Sequence, residues 1–473
     1  MDLQKLGGPM NRMRARRLNS IGRLSWAIVV LSLFLILSGC KEEKAKQEIV
    51  PDATSSPIPT AVSTIITGRV MDDSTSMPIK EATVTFNGKD VVLTDQNGQF
   101  TLPQPLNHVA ARAHGYTRAE MTLTAGTPAG PIELRLKPIT PKALYLTVYG
   151  IGSKLIRNRA LDLIDKTELN ALVIDVKGDR GFIPYPSDIP LSKTIGGQKI
   201  TLVKDIKGMV QSLKDKGIYT IARIVVFKDD LLAKARPDLT IKKPDGSTFK
   251  DREKLTWVDP SKKEVWDYNI DIAVEAAKNG FDEIQFDYVR FPDHKGLIFS
   301  VPNTEENRVK HISGFLTEAR KRLTPYNVFL AADIFGYVVW NQNDTHIGQK
   351  IDQLSSVDYI CLMLYPSGFH LGIPKYRNPV ANSNRIIYLS LKKAQDRSGL
   401  PPVRFRPWLQ AFRDYAFDRR FFNADEIKDQ IEASDEFGSN GWMLWNPRNA
   451  YKPDGLAKET SNKVNEKEPA PKA

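Results

Sequence analysis

The stretch Glu283-Ile284-Gln285-Phe286-Asp287-Tyr288-Val289-Arg290-Phe291-Pro292 decides how this chain folds. At a period of two, Ile284, Phe286 and Tyr288 face one way and Gln285 and Asp287 the other, which predicts a short strand with an apolar outer face and a polar inner one. Pro292 cannot donate to a sheet ladder, so the strand ends before it and Asp287 lies close to its C-terminal end. In a parallel α/β barrel that end is where active sites are built.

Working outward, the same texture recurs. Eight strand candidates fall at 143–150, 171–177, 218–227, 283–290, 329–335, 357–365, 405–411 and 441–446. Stretches of helix length with apolar spacing of three and four lie between them, as at 199–216, 261–279 and 305–323. Eight strand-helix units predict an α/β fold of the (β/α)8 TIM-barrel type. A doubly wound open sheet is the alternative, but no Gly-rich phosphate loop follows the first strand. Pro447 closes the last strand, and a Lys/Glu/Pro-rich tail, 456–473, follows.

Strand parity gathers polar groups on the inner faces. Val173, Asp175 and Lys177 share one face, as do Ala331, Asp333 and Phe335, then Tyr359, Cys361, Met363 and Tyr365, and then Arg406, Trp408 and Gln410. Asp287 and Asp333 stand on neighbouring strands, about 4.8 Å apart in a sheet, and a carboxyl pair roughly 5 Å apart is what glycoside hydrolysis with retention uses. Their repulsion raises one pKa and leaves that group protonated. Both sit at a wet cleft on this reading, so removing Asp287 relieves repulsion and leaves the barrel folded. Substrate-contact candidates are Asp175, Lys177, Arg223, Arg290, Tyr365, Trp408, Gln410 and Trp445. For Asp175 and Lys177 an internal ion pair is an equal alternative, and Arg290 is expected to pair with Asp287 or a neighbouring carboxylate. Trp257, Trp340, Trp408 and Trp445 supply aromatic faces at the same end for sugar rings. His294, His346 and His370 lack ligand spacing, so neither a catalytic metal nor another cofactor is expected.

The ends have a different composition. Residues 1–25 carry six basic side chains against Asp2, and an apolar run of a dozen residues, Trp26 to Leu37, follows. That run is too short to span a bilayer and has the flank of a signal peptide. Leu37-Ser38-Gly39-Cys40 resembles the lipobox of bacterial lipoproteins, which implies that 1–39 is removed and Cys40 is lipidated. The mature chain is then anchored in the cell envelope, and Lys41 in place of a retention aspartate leaves outer-membrane sorting open. Removal of six basic and one acidic residue lowers the formal charge from +12 to +7, and the remaining Lys and Arg alternate with acids, so no nucleic-acid stripe emerges. Cys361 alone remains after lipidation, and one thiol forms no internal disulfide. Oligomeric state is not legible.

Residues 40–62, Lys/Glu alternation and then Pro51, Pro57 and Pro59, form a tether without a core. From 63 to 139 short alternations with turn signals predict a small antiparallel β-sandwich. The order ITGRV, PIKEATVTF, TDQNGQFTLP and HGY resembles the carboxypeptidase regulatory-like domain, a non-catalytic spacer or docking module, and Asp95, Asn97 and Gly98 form an Asx-Gly turn rather than a calcium loop. Across 140–455, LNALVIDVK, FDEIQFDYVRFP, AADIFGY and GWMLWNP resemble glycoside hydrolase barrels of unassigned substrate found in bacterial secreted proteins and lipoproteins. The resemblance implies Asp287 as nucleophile or base, Asp333 as acid, and a polysaccharide substrate. A catalytically inactive glycan-binding or envelope-assembly lipoprotein is the competing reading. A metal-dependent deacetylase on a similar barrel is a third.

Overall fold

The computed structural model describes residues 65–123 and 131–458. The stretches read from sequence as a signal peptide, a lipobox cysteine and a tether, and the end of the tail, lie outside the described residues.

Seven strands come first: β1 (Ile65–Asp72), β2 (Thr83–Phe86), β3 (Asp90–Leu93), β4 (Gln99–Pro103), β5 (His108–Arg112), β6 (Ala119–Thr122) and β7 (Ile132–Leu136). They form two sheets, β4-β1-β7 and β3-β2-β5-β6, antiparallel except for the β1–β7 pair. The alternation in the sequence sets the core, with Val70, Val84, Phe100, Leu102, Val109 and Leu134 turned inward. Asp95 Oδ1 accepts from the amides of Asn97 and Gln99, both at 2.8 Å, the Asx-turn chemistry expected there.

The remaining eight strands, β8 (Lys142–Leu146), β9 (Ala171–Lys177), β10 (Tyr219–Val225), β11 (Glu283–Asp287), β12 (Phe329–Phe335), β13 (Tyr359–Met363), β14 (Trp408–Gln410) and β15 (Trp442–Trp445), close into one parallel barrel in sequence order. Ile284 and Phe286 point outward, Phe286 packing edge-on against Phe315 of the helix Glu305–Leu323 at 4.9 Å. Inside, Tyr145, Val173, Ile221, Ala331, Cys361, Trp408 and Met443 fill the lumen. Several strands are shorter than expected, β11 ending at Asp287 and β13 running only from Tyr359 to Met363, and three elements differ for clear local reasons. Strand β8 stops at Leu146 because Thr147 caps a short helix, its hydroxyl accepting from Gly150 N at 2.9 Å. The helix expected from 199 starts at Ile206, where Asp205 is the cap. Strand β14 shrinks to three residues because Pro407 offers no ladder donor.

The lower end of the lumen is sealed by charge. Glu283 and Arg406 are fully buried, Arg406 Nη1 reaching both carboxylate oxygens at 2.7 and 2.8 Å, with the guanidinium over the Tyr359 ring at 4.1 Å. Arg406 thus keeps the inner face that strand parity gave it, but at the barrel floor and not at the open end.

The β domain docks against this floor. Tyr359 Oη accepts from Gly115 N at 3.1 Å, Asn327 Nδ2 donates to Ala111 O at 3.1 Å, and Arg118 Nη1 donates to Tyr326 O at 2.9 Å. Asp358 collects Arg320, Arg112 and His114; burial pushes its carboxyl up, but the two guanidinium groups hold it below the usual range. Burial pushes His114 down to about 4 despite Asp358 beside it.

Candidate active site

Arg223 organises the open end of the barrel. It projects into the lumen from β10, 3% exposed. Nη1 donates to Asp175 Oδ1 at 2.5 Å, while Nε (3.1 Å) and Nη2 donate to Asp287 Oδ2. Asp287 is the last residue of β11, as its distance from Pro292 predicts. Arg223 Nε also lies 3.9 Å from Asp333 Oδ2. The Asp287 and Asp333 oxygens that flank this one nitrogen are therefore no more than about 7 Å apart, inside the span that glycosidase carboxyl pairs occupy. Tyr145 Oη donates to Asp175 Oδ2 at 2.6 Å, and the guanidinium sits 5.2 Å above the Tyr145 ring and 4.8 Å above that of Trp445. Those two rings stack at 4.0 Å.

The three carboxylates have unlike surroundings. Burial raises the Asp175 pKa, with Arg223 opposing it. Burial disfavours the charge on Arg223 itself, yet Asp175 and Asp287 hold its pKa above the arginine norm. Asp333 is enclosed, its side chain without solvent exposure. Trp408 Nε1 donates to its Oδ1 at 2.6 Å, and Oδ2 has no hydrogen-bond partner among the described residues. Burial, then the charge of Asp287, push its pKa well above the carboxylate range, favouring the neutral acid.

Above this cluster the cleft has two lobes that share Arg223, Tyr288 and Trp445. The larger, about 420 Å³, is lined also by Tyr145, Asp175, Arg180 and Glu253, and the smaller, about 240 Å³, by Asp287, Arg290, Tyr337 and Tyr365. Tyr288 reaches the cleft because its backbone turns left-handed (φ 49°) directly after β11, which breaks the pleat that would have sent it outward. Its amide donates to Asp287 Oδ1, and Lys228, bound to Glu253 at 2.6 Å, lies 5.0 Å over its ring.

Of the residues singled out from sequence, Asp175, Arg223, Asp287, Arg290, Tyr365 and Trp445 meet at the cleft. Asp333 and Trp408 lie beneath it. Lys177 is fully buried against Asp229 at 2.6 Å and Tyr268, so of its two readings the internal pair is the one built. Gln410 is also buried, held by Ser367 and Gln430. Arg290 forms no ion pair among the described residues; it stacks on Trp257 and Tyr288 at 5.0 and 5.2 Å, because Arg223 already occupies Asp287. Trp257 is 2% exposed and Trp340 Nε1 bonds Ser390, which leaves Trp445 as the tryptophan face in the cleft. Sequence reasoning missed Tyr145 and Tyr288. The alternation Ala143-Tyr145 against Leu144-Leu146 already places Tyr145 inward.

A closed parallel barrel with clustered carboxylates and aromatic faces at its C-terminal end is an arrangement suited to a glycosidase. Residues 143–451 match the family described as "Putative glycosyl hydrolase domain", and the chain belongs to that family. A hypothetical protein of solved structure from Ruminiclostridium thermocellum is 39% identical over 40% of this chain and 96% of its own, with a TM-score of 0.36. The PgaB (BpsB) glycoside hydrolase domain from Bordetella bronchiseptica is similar at 14% identity, covering 68% and 99% of the two chains, with a TM-score of 0.49. A class V chitinase from Pseudomonas fluorescens follows at 13%, 67% and 96%, with a TM-score of 0.40. A search of curated proteins gave no match.

Proposed function

We propose that this barrel hydrolyses glycosidic bonds of an envelope or extracellular polysaccharide, with Asp287 as the ionised nucleophile or base and Asp333 as the acid. The observation that carries this reading is the asymmetry of the pair: Arg223 binds Asp287 as a carboxylate, while Asp333, within about 7 Å, is pushed toward its protonated form. Trp445, Tyr288 and Tyr365 give the cleft faces on which sugar rings can stack.

Asp333→Asn tests the acid. The amide keeps an acceptor for Trp408 and needs no proton, so the variant stays folded. The sign for stability follows from the raised pKa: the folded state holds a proton that the unfolded chain releases above its ordinary Asp value, so this group's contribution is full below that value and falls as pH rises toward the folded pKa. The variant therefore matches or exceeds the parent in Tm at neutral pH, and its release of reducing ends from a polysaccharide panel drops by about 10² to 10⁴. Parent-level release by the variant removes Asp333 from the chemistry.

The second reading, a glycan-binding barrel without turnover, draws on the enclosure of Asp333, which lines neither lobe. It holds if the parent chain binds saccharide and releases no reducing ends.

The lipobox supports a lipid-anchored position in the envelope. Cys40→Ser then shifts the protein from the membrane fraction to soluble or unprocessed precursor; an unchanged, fully processed membrane-bound product refutes the anchor.

A further inference from the structure

A third cavity, about 590 Å³, opens on the rim beside the last two strands, outside the carboxylate cluster. Three cations line it, Arg413, Arg448 and Lys452, all exposed and none within 4.0 Å of a carboxylate among the described residues. Arg413 Nε is held by Arg419 O at 2.7 Å and its guanidinium lies 4.8 Å over the ring of Phe421, itself 59% exposed. Asp454 is the one acid in the lining, so the wall is net positive. The cavity adjoins the cleft in two places. Pro447 lines both it and the larger lobe. Phe412 lines it, meets Tyr365 edge-on at 5.6 Å and lies parallel to Tyr415, 6.2 Å away; both tyrosines line the smaller lobe.

We propose that this cavity is a second saccharide subsite that takes anionic sugar residues of the polysaccharide whose chain crosses the cleft. The inference rests on the cleft acting on glycans and names the class of glycan. Unpaired cations beside aromatic faces suit a carboxylate-bearing pyranose, because charge-assisted hydrogen bonds hold the acid while the ring covers an aromatic face. The volume is that of a pocket which encloses a small ligand rather than a flat patch.

The test uses the chain from residue 40 to 473 carrying Asp287→Asn, so that nothing is consumed, titrated calorimetrically with a short oligogalacturonate and with a neutral chitooligosaccharide. The oligogalacturonate binds more tightly, and its affinity falls at least about tenfold when Arg413, Arg448 and Lys452 are all changed to Gln, as loss of charge-assisted bonds requires. Raised salt weakens it in the parent, whereas chitooligosaccharide binding is unmoved by either change. Asp454→Asn, which removes the opposing charge, tightens oligogalacturonate binding several-fold and guards against a triple variant that merely misfolds. The proposal is overturned if the acidic oligomer binds no better than the neutral one, if the Gln variant binds it like the parent, or if the lost property is sedimentation with anionic lipid vesicles instead. Failure of the hydrolase reading is a separate result, the absence of reducing ends from the parent chain.

Discussion

Asp287→Asn is expected to lower kcat by about a thousandfold or more while saccharide affinity stays within a few-fold of the parent. The two effects separate because the amide preserves shape at a position that borders the smaller lobe but cannot serve as base or nucleophile. Steady-state kinetics together with calorimetric binding decide it, and parent-like kcat refutes the assignment. Asparagine is the informative choice. On sequence grounds, Asp287→Ala would relieve repulsion at a wet cleft and leave the fold intact or slightly more stable. In the structure Asp287 is 5% exposed, with Arg223 on one oxygen and the Tyr288 amide directed at the other. Alanine would therefore deprive a buried guanidinium of a partner and destabilise the barrel, which would confuse lost chemistry with lost structure.

Arg223→Met is expected to produce the largest loss of stability, about 3 to 5 kcal/mol, because it strands Asp175 and Asp287 as buried carboxylates with no countercharge. Denaturant unfolding at neutral pH measures this. The sign with pH is opposite to that of a surface bridge. With Arg223 gone, burial continues to push Asp175 up, so the variant recovers stability as pH falls and that carboxyl takes up its proton. A variant as stable as the parent at neutral pH, or one further destabilised by acid, contradicts the role of Arg223 as the hub.

The barrel was legible in the sequence because its strands are short, flanked by helix-length segments, and patterned at a period of two. That pattern carried Asp175, Asp287, Asp333, Tyr365 and Trp408 to the inner face. It failed where the backbone leaves the pleat: Tyr288 follows strand parity on paper, but its left-handed turn delivers it to the cleft. It also says nothing of pairing. Arg290 sits three residues from Asp287 and looks like its partner, yet the guanidinium that reaches Asp287 comes from residue 223 on the adjoining strand. Height along the lumen was invisible too, since Arg406 and Trp408 share a face but serve the floor and the cleft side respectively.

The docking of the β domain governs where this chain can be cut. Composition changes abruptly near residue 140, and a fragment starting there carries all eight barrel strands. It would also lose Arg112 and His114 from Asp358, the Gly115 amide from Tyr359, and the Ala111 carbonyl from Asn327. A boundary in sequence texture is then not a boundary of autonomous folding, and a trimmed barrel that expresses poorly or aggregates would report an uncovered floor rather than a defective catalyst.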